Sequence, residues 1–397
     1  MRNPQPYTVK QVMWSHLTAN WDQEFRFDVN SLQPVHLFRK PEGSPEKPGG
    51  VPKDEKEASV LKKWRQNKGL DQWRKGERDH QRDSRHLNCV FDKATDFWTV
   101  EASAAGMFNQ SHWIKQMFAR GCPKSPESQG CQAFILDTIF CVLGTTNKFY
   151  VEYGFNTNQQ CSGSGPNTCK LWRTHGWKGL LLDGNKENHT INLHKHLLFE
   201  SNIASIFQQH NVPIELDYLS SDMDSHDIFV MSGILEAGYR PRIISTEYND
   251  NFDLDWSLAQ LDPELLPGGS QIPFRFVQCI WGASAGAWRT LMSKHGYSLI
   301  GQSPGLDLFW IRNDLVEERW VFPPFSFFFQ TIRHRSHMVW EHASWEDFDH
   351  LIIDYDVYSR TGGDISAAKA AVREQLRTYI MQNRMPECFF YFFLHAR

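Results

Sequence analysis

FYVEYGFN, residues 149–156, opens a series in which a short apolar run ends on a carboxylate or a small polar residue and gives way to a helix-like or loop segment. GLLLDGN at 179–185, DYLSSDMD at 217–224 and RIISTEYN at 242–249 repeat the event, and GYSLIGQ at 296–302 with DLFWIRNDL at 307–315 closes it. Apolar runs this short, spaced by helical stretches, are the pattern of parallel strands covered on both faces. The last two runs are joined by only a few residues, so they pair as a hairpin and one of them is reversed. The expected fold class is therefore α/β, with a mostly parallel sheet and an antiparallel C-terminal hairpin. In such a sheet a ligand sits outside the carboxyl ends of the strands. Here those ends carry Glu152, Asp183, Asp222, Asp224, Glu247 and Asn249, which should converge on one crevice.

Working outward, a helix is expected over Gln132–Val142, where Phe134, Ile135, Ile139 and Phe140 recur at three- and four-residue intervals before Gly144. Further helices are expected near Cys169–Thr174, Ser201–Gln209 and Asp227–Ala237, and one capped by Ser284 runs to Lys294. Strands are expected at Lys148–Tyr153, Gly179–Asp183, Tyr218–Met223, Arg242–Tyr248, Tyr297–Gly301 and Leu306–Arg312. His189, His194 and His196 fall in a helical or loop stretch and read as surface histidines without an H-E-x-x-H pattern. Asp250–Gln278 reads as an insertion rich in Pro, Gly and Asp. Toward the C-terminus the pattern gives a strand at Leu351–Val357 and an amphipathic helix at Ile365–Met381. The organisation expected is a flexible, charged region at 1–88, a helical lead-in at 89–146, the α/β domain at 147–316 and an accessory region at 317–397.

A chain of 397 residues with Trp 15 and Phe 28 holds ample material for a core. Its formal charge of -4 supplies no basic field for nucleic acid or an anionic membrane surface. No apolar stretch approaches the roughly 20 residues of a spanning helix, and the opening MRNPQPYTVKQVMW lacks a signal-peptide h-region, so a soluble, cytoplasmic protein is expected. Cys122/Cys131 and Cys161/Cys169 are spaced for small disulfide loops, against the alternative of free thiols in a reducing compartment. Sequons at Asn109 and Asn188 matter only on a secretory route.

The turn after FYVEYG brings backbone N–H groups and a carboxylate to a cofactor in nucleotide-binding α/β folds, but only Gly154 stands where a G-x-G-x-x-G fingerprint has three glycines. A cofactor without a pyrophosphate fits better. Asp183 stands where a carboxylate accepts ribose hydroxyls, or is merely solvated. SSDMDSHD packs Asp222, Asp224, His226 and Asp227 into one strand end, and like charges this dense repel unless a cation compensates. The structural alternative is that Asp227 caps the next helix and Asp222 holds a turn. Glu247 and Asn249 add oxygen ligands that suit Mg²⁺ or Ca²⁺, or hydrogen bonds to substrate hydroxyls. No G-x-S-x-G elbow, P-loop or C-x-x-C pair is present.

In order, Ser128-Gln129, FYVEYGFN, Pro166-Asn167-Thr168, GWKGLLLDGN, ESNI at 200–203, DYLSSDMDSHD, PRIISTEYN, GASAGAWRTLM, HGYSLIG and LFWIRNDL resemble the FkbM-like branch of S-adenosylmethionine-dependent methyltransferases over about residues 128–316. That resemblance implies a Rossmann-like, doubly wound fold of the class I methyltransferase kind and S-adenosylmethionine as cofactor. It implies contacts to the cofactor from Glu152, Gly154, Asn156, Asn167, Thr168, Asp183 and Asp222, and no resident metal. Asp224, Glu247 and Asn249 would face the acceptor, a small hydroxylated molecule or glycan, with Asp224 or His226 as the base that takes its proton. Asn156 and Asn158 stand where the family shows small residues. The alternatives are a binding or scaffold protein that keeps the fold without catalysis, and a Mg²⁺-dependent, catechol-type O-methyltransferase using Asp222, Glu247 and Asn249.

Overall fold

The computed structural model describes residues 89–92, 97–100, 114, 127–161, 166–250, 252, 254, 256–266, 281–316, 322–329 and 349–381. The region expected to be flexible, 1–88, lies outside the described residues, as does much of the 250–278 insertion.

A hairpin of β1 (Cys89–Asp92) and β2 (Phe97–Val100) precedes α1 (Gln132–Leu143). The lead-in is thus partly strand, because FWTV is a β-favouring run too short to show a period. The chain continues through β3 (Phe149–Tyr153), α2 (Cys169–His175), β4 (Lys178–Asp183), β5 (Leu193–Lys195), α3 (Ile203–Gln209), β6 (Tyr218–Ser221), α4 (Asp227–Glu236) and β7 (Ile243–Glu247). After β8 (Leu258–Gln260) come α5 (Ala285–Lys294), β9 (Tyr297–Gln302) and β10 (Asp307–Arg312). The described chain ends with β11 (Ile352–Asp354), α6 (Tyr355–Arg360) and α7 (Ile365–Met381).

Seven strands form one sheet in the order β5-β4-β3-β6-β7-β10-β9. β5, β4, β3, β6 and β7 pair in parallel, and β10 is antiparallel to both β7 and β9. The expected α/β, mostly parallel sheet with one reversed strand is what forms. From β3 the chain steps outward to β4 and β5, then returns to β6 on the other side, so the β3–β6 boundary is the switch point at which such sheets open a crevice. One layer of helices is α3, α4 and α5, in contact in turn. α1 and α2 are joined by Asp137, which pairs with Lys170 and lies 3.1 Å from His175.

The core is one continuous cluster in which Trp177, Trp256, Trp288 and Trp310 are fully buried. Burying each large apolar side chain contributes about 1.5–3 kcal/mol. At the amino ends of the strands, fully buried Asp217 accepts from the backbone N–H of Thr146, Asn147 and Lys148 and from Arg242 Nη1 at 2.8 Å. Arg242 also donates to the carbonyls of Leu143 and Gly144, so this pair fastens the end of α1 to the start of β3. The cluster lies at the sheet end opposite the acidic strand tips.

Three expectations are corrected. The histidine stretch forms a 3-10 turn, His189–Ile191, and the edge strand β5. The insertion contributes β8, which pairs with β11 and so docks the C-terminal region on the main body. The strand expected at Leu351–Val357 stops at Asp354, whose carboxylate accepts from Val357 N at 3.0 Å and starts α6 instead. No helix among the described residues is long and apolar enough to cross a membrane.

Candidate functional site

The tips of β3, β4, β6 and β7 and the start of β10 lie at one end of the sheet. Parallel register sets Tyr153 beside Ser221, and antiparallel register sets Asp307 opposite Glu247. Gly154 turns out of β3 at φ 79°, and a Cβ placed on it would meet Asp222 O at 1.5 Å. Only glycine lets the β3 tip lie against the β6 tip this closely.

Asp222, Asp224 and Glu247 converge as expected: each offers a carboxylate oxygen, and the three lie within 4.8 Å of one another. Asp224 holds a left-handed φ of 58°, a conformation that aspartate tolerates better than most residues and that clusters at functional sites. Asp227 ties this loop down by accepting from Ser221 Oγ, Met223 N and Ser225 N. Glu247 Oε2 is buried and its carboxylate faces those of Asp222 and Asp224, while Trp288 Nε1 donates to the Glu247 carbonyl at 2.7 Å and fixes the backbone beneath it.

Asp222 and Glu247 are half-buried and Asp224 is exposed. Desolvation, then the charges of Asp224, Asp307 and Asp227, holds the Asp222 carboxyl well above the usual range. Desolvation, then Asp222 and Asp224, does the same to Glu247, and Asp224 is raised by desolvation and by Asp227. Asp307, which the sequence reading missed, is 2 % exposed; Gln132 Nε2 donates to its Oδ2 at 2.8 Å, its Oδ1 is buried without a partner, and burial pushes its pKa up to about 6. Its signal was available, because a reversed strand begins at the end of the sheet where its parallel neighbours finish.

Other expected residues serve as anchors. Glu152 accepts from Asn167 N at 2.7 Å and Thr168 N at 3.1 Å, and pairs with the Thr168 hydroxyl. Burial still pushes its pKa up to about 7. Asn167 Nδ2 donates to Ser220 Oγ, and a buried chain of hydroxyls continues through Ser245 to Tyr218. Glu152, Asn167 and Thr168 thus fasten the start of α2 to β3 and β6. Both Glu152 oxygens are taken up by Asn167 and Thr168, and the Asn167 amide is turned to Ser220.

His226 is fully buried, with Nδ1 at 3.0 Å from Ser225 Oγ, Nε2 at 2.9 Å from Leu198 O and its ring stacked on Phe199. Both nitrogens are engaged away from the carboxylates. Asn249, 1 % exposed, donates from Nδ2 to Trp281 O and supports the 281–283 loop. Asp183 is half-buried, and its Oδ1 accepts from Asn185 N and Lys186 N, which holds the turn after β4. Asn156 and Asn158 are exposed.

A scan against protein-family models finds no match to this sequence, and a search of curated proteins finds none either.

Proposed function

We propose that this chain is an S-adenosylmethionine-dependent methyltransferase that methylates a hydroxyl of a sugar or another small acceptor. The observation that carries the reading is the group of Asp222, Asp224 and Glu247 at the switch point, whose carboxylate oxygens lie within 4.8 Å of one another. Asp222 and Glu247, crowded this way, favour a cationic ligand, and a sulfonium with its ammonium group is one, while Asp224 is left to the acceptor. The mostly parallel sheet with a reversed β10 accords with the architecture the FkbM-like resemblance implies. Gly154 and Asp183 stand at the tips where such a cofactor's amino-acid and ribose parts would lie, and Asn156 and Asn158 are turned to solvent.

The cofactor supplies the methyl group by direct displacement, and the chain's task is to align the acceptor and exclude water. Asp224 accepts the hydroxyl proton as the new bond forms, and its raised pKa makes it a stronger base than an ordinary carboxylate. Asp224→Asn should lower turnover by about 10²–10⁴-fold while the affinity for S-adenosylmethionine stays nearly unchanged. Turnover that survives the substitution would remove Asp224 from the role.

A second reading, the Mg²⁺-dependent form of the same reaction, is favoured by the all-oxygen donor set of Asp222, Asp224 and Glu247. Asp224 stands in it where the sequence pattern put Asn249, because the oxygens that converge within 4.8 Å are those of Asp222, Asp224 and Glu247. Loss of activity in chelator, restored by Mg²⁺, separates the two. A non-catalytic scaffold remains the reading of choice if S-adenosylmethionine gives neither heat nor stabilisation.

The cysteines bear on the compartment. Cys161 and Cys169 form a disulfide, Cys131 and Cys141 are also disulfide-bonded, and no free cysteine occurs among the described residues. Disulfides on this scale fit an oxidising compartment better than the cytoplasm. The other cysteine of the Cys122/Cys131 spacing, Cys122, lies outside the described residues.

A further inference from the structure

We propose that Glu187, His189 and His194, on the β4–β5 connection and edge strand β5, bind a zinc-class divalent metal ion. Each of the three offers one ligand atom, and these atoms lie within 4.8 Å of one another. His189 Nε2 is already 3.5 Å from Glu187 Oε1. Two imidazole nitrogens and one carboxylate form a mixed donor set that suits zinc better than magnesium, with a fourth, open position for water.

The surrounding hydrogen bonds prepare the set. Asn192 is held at a left-handed φ of 56°, and its Nδ2 donates to Gly179 O at 2.7 Å. That bond orients the amide so that Oδ1 faces His194 Nε2 at 2.9 Å. A carbonyl oxygen only accepts, so the proton of neutral His194 resides on Nε2 and Nδ1 carries the lone pair. A partner that fixes the tautomer is the usual second layer of a histidine metal site. On the other side, Asn188 Oδ1 accepts from both Thr190 N and Thr190 Oγ1 and shapes the turn that presents His189.

Two further histidines wall the group. The His210 ring lies 4.2 Å from the His194 ring, and His196 Nε2 lies 3.0 Å from His210 Nε2. Tetrahedral ligands about 2.0–2.1 Å from zinc lie roughly 3.3 Å apart, so the three groups must close on the ion. Glu187 and His189, whose side chains are 54 % and 69 % exposed, have room to do so. The bound ion would pin the β4–β5 connection to edge strand β5.

The proposal is independent of the methyltransferase reading. The full chain, stripped with chelator, is titrated with Zn²⁺ alone by calorimetry, and retained metal is measured after dialysis. One equivalent should bind, and His189→Gln and His194→Ala should each weaken binding by more than the roughly 10–100-fold that loss of an outer partner costs. Asp224→Asn should leave the equivalent in place, which separates this site from the acidic tips. No bound equivalent in the unaltered chain, or an unchanged titration in both histidine variants, would overturn the proposal. His189 is exposed enough that its replacement leaves the fold intact.

Discussion

Replacing Gly154 by alanine tests the contact on which both the sheet and the acidic tips depend. The new Cβ would stand 1.5 Å from Asp222 O and 2.4 Å from its carbonyl carbon. Carbon atoms pack at about 3.5–4.0 Å, so Asp222 would have to retreat by roughly 2 Å, and backbone atoms cannot swing aside as a flexible side chain does. The left-handed φ of 79° adds about 1–2 kcal/mol for a residue with a Cβ, and overpacking adds about 1–3 kcal/mol. Together these give about 2–5 kcal/mol, or roughly 4–20 °C in Tm for a domain of 150–250 residues. Gly238 is the control: its φ is 85°, but nothing lies within 4 Å of an added Cβ. Gly238→Ala should therefore show only the backbone part. The assay is thermal unfolding of both variants, with S-adenosylmethionine affinity as a second readout that only Gly154→Ala should weaken. Equal Tm losses in the two variants would refute the close approach of the β3 and β6 tips.

Arg242→Met should destabilise the chain by about 3–5 kcal/mol in denaturant titration, because it removes the ion-pair partner of buried Asp217 and the donor to the Leu143 and Gly144 carbonyls; a loss below about 1 kcal/mol would contradict that role. Glu152 and Asp307 have folded pKa values raised to about 7 and about 6 from 4.5 and 3.8, so the folded chain binds more protons than the unfolded one between those values. Their contribution to stability is therefore present at low pH and lost as pH rises through that window, and Glu152→Gln should flatten the part between 4.5 and about 7 in Tm-against-pH curves. An unchanged slope in that variant would count against the burial of the charge.

Sequence alone disclosed much of the sheet, because buried parallel strands are near-continuous apolar runs and their terminal carboxylates interrupt them visibly. RIISTEYN and DYLSSDMD read directly as the strands that bring Glu247 to Asp222 and Asp224. What it did not disclose was the direction in which polar side chains turn. His226 and Asn249 sit within two residues of the carboxylate tips, yet one folds back onto Leu198 O and the other onto Trp281 O, partners remote in sequence. Glu152 likewise spends its oxygens on the loop before α2, whose position depends on how the chain returns after residue 161. β5 escaped notice because three residues at a sheet edge carry too little pattern, and with it went the proximity of His194 to Glu187 and His189. Asp307 needed the sheet order as well as the hairpin, since only pairing with β7 brings it opposite Glu247.

The most direct test of the central claim is calorimetric titration of the full chain with S-adenosylmethionine, run beside the Asp222→Asn, Glu247→Gln double variant. One equivalent bound by the unaltered chain, and binding weakened or lost in the variant, is the result expected of a cation held by those carboxylates. Absence of heat in the unaltered chain, with no rise in Tm at about 100-fold excess of the cofactor, would contradict it.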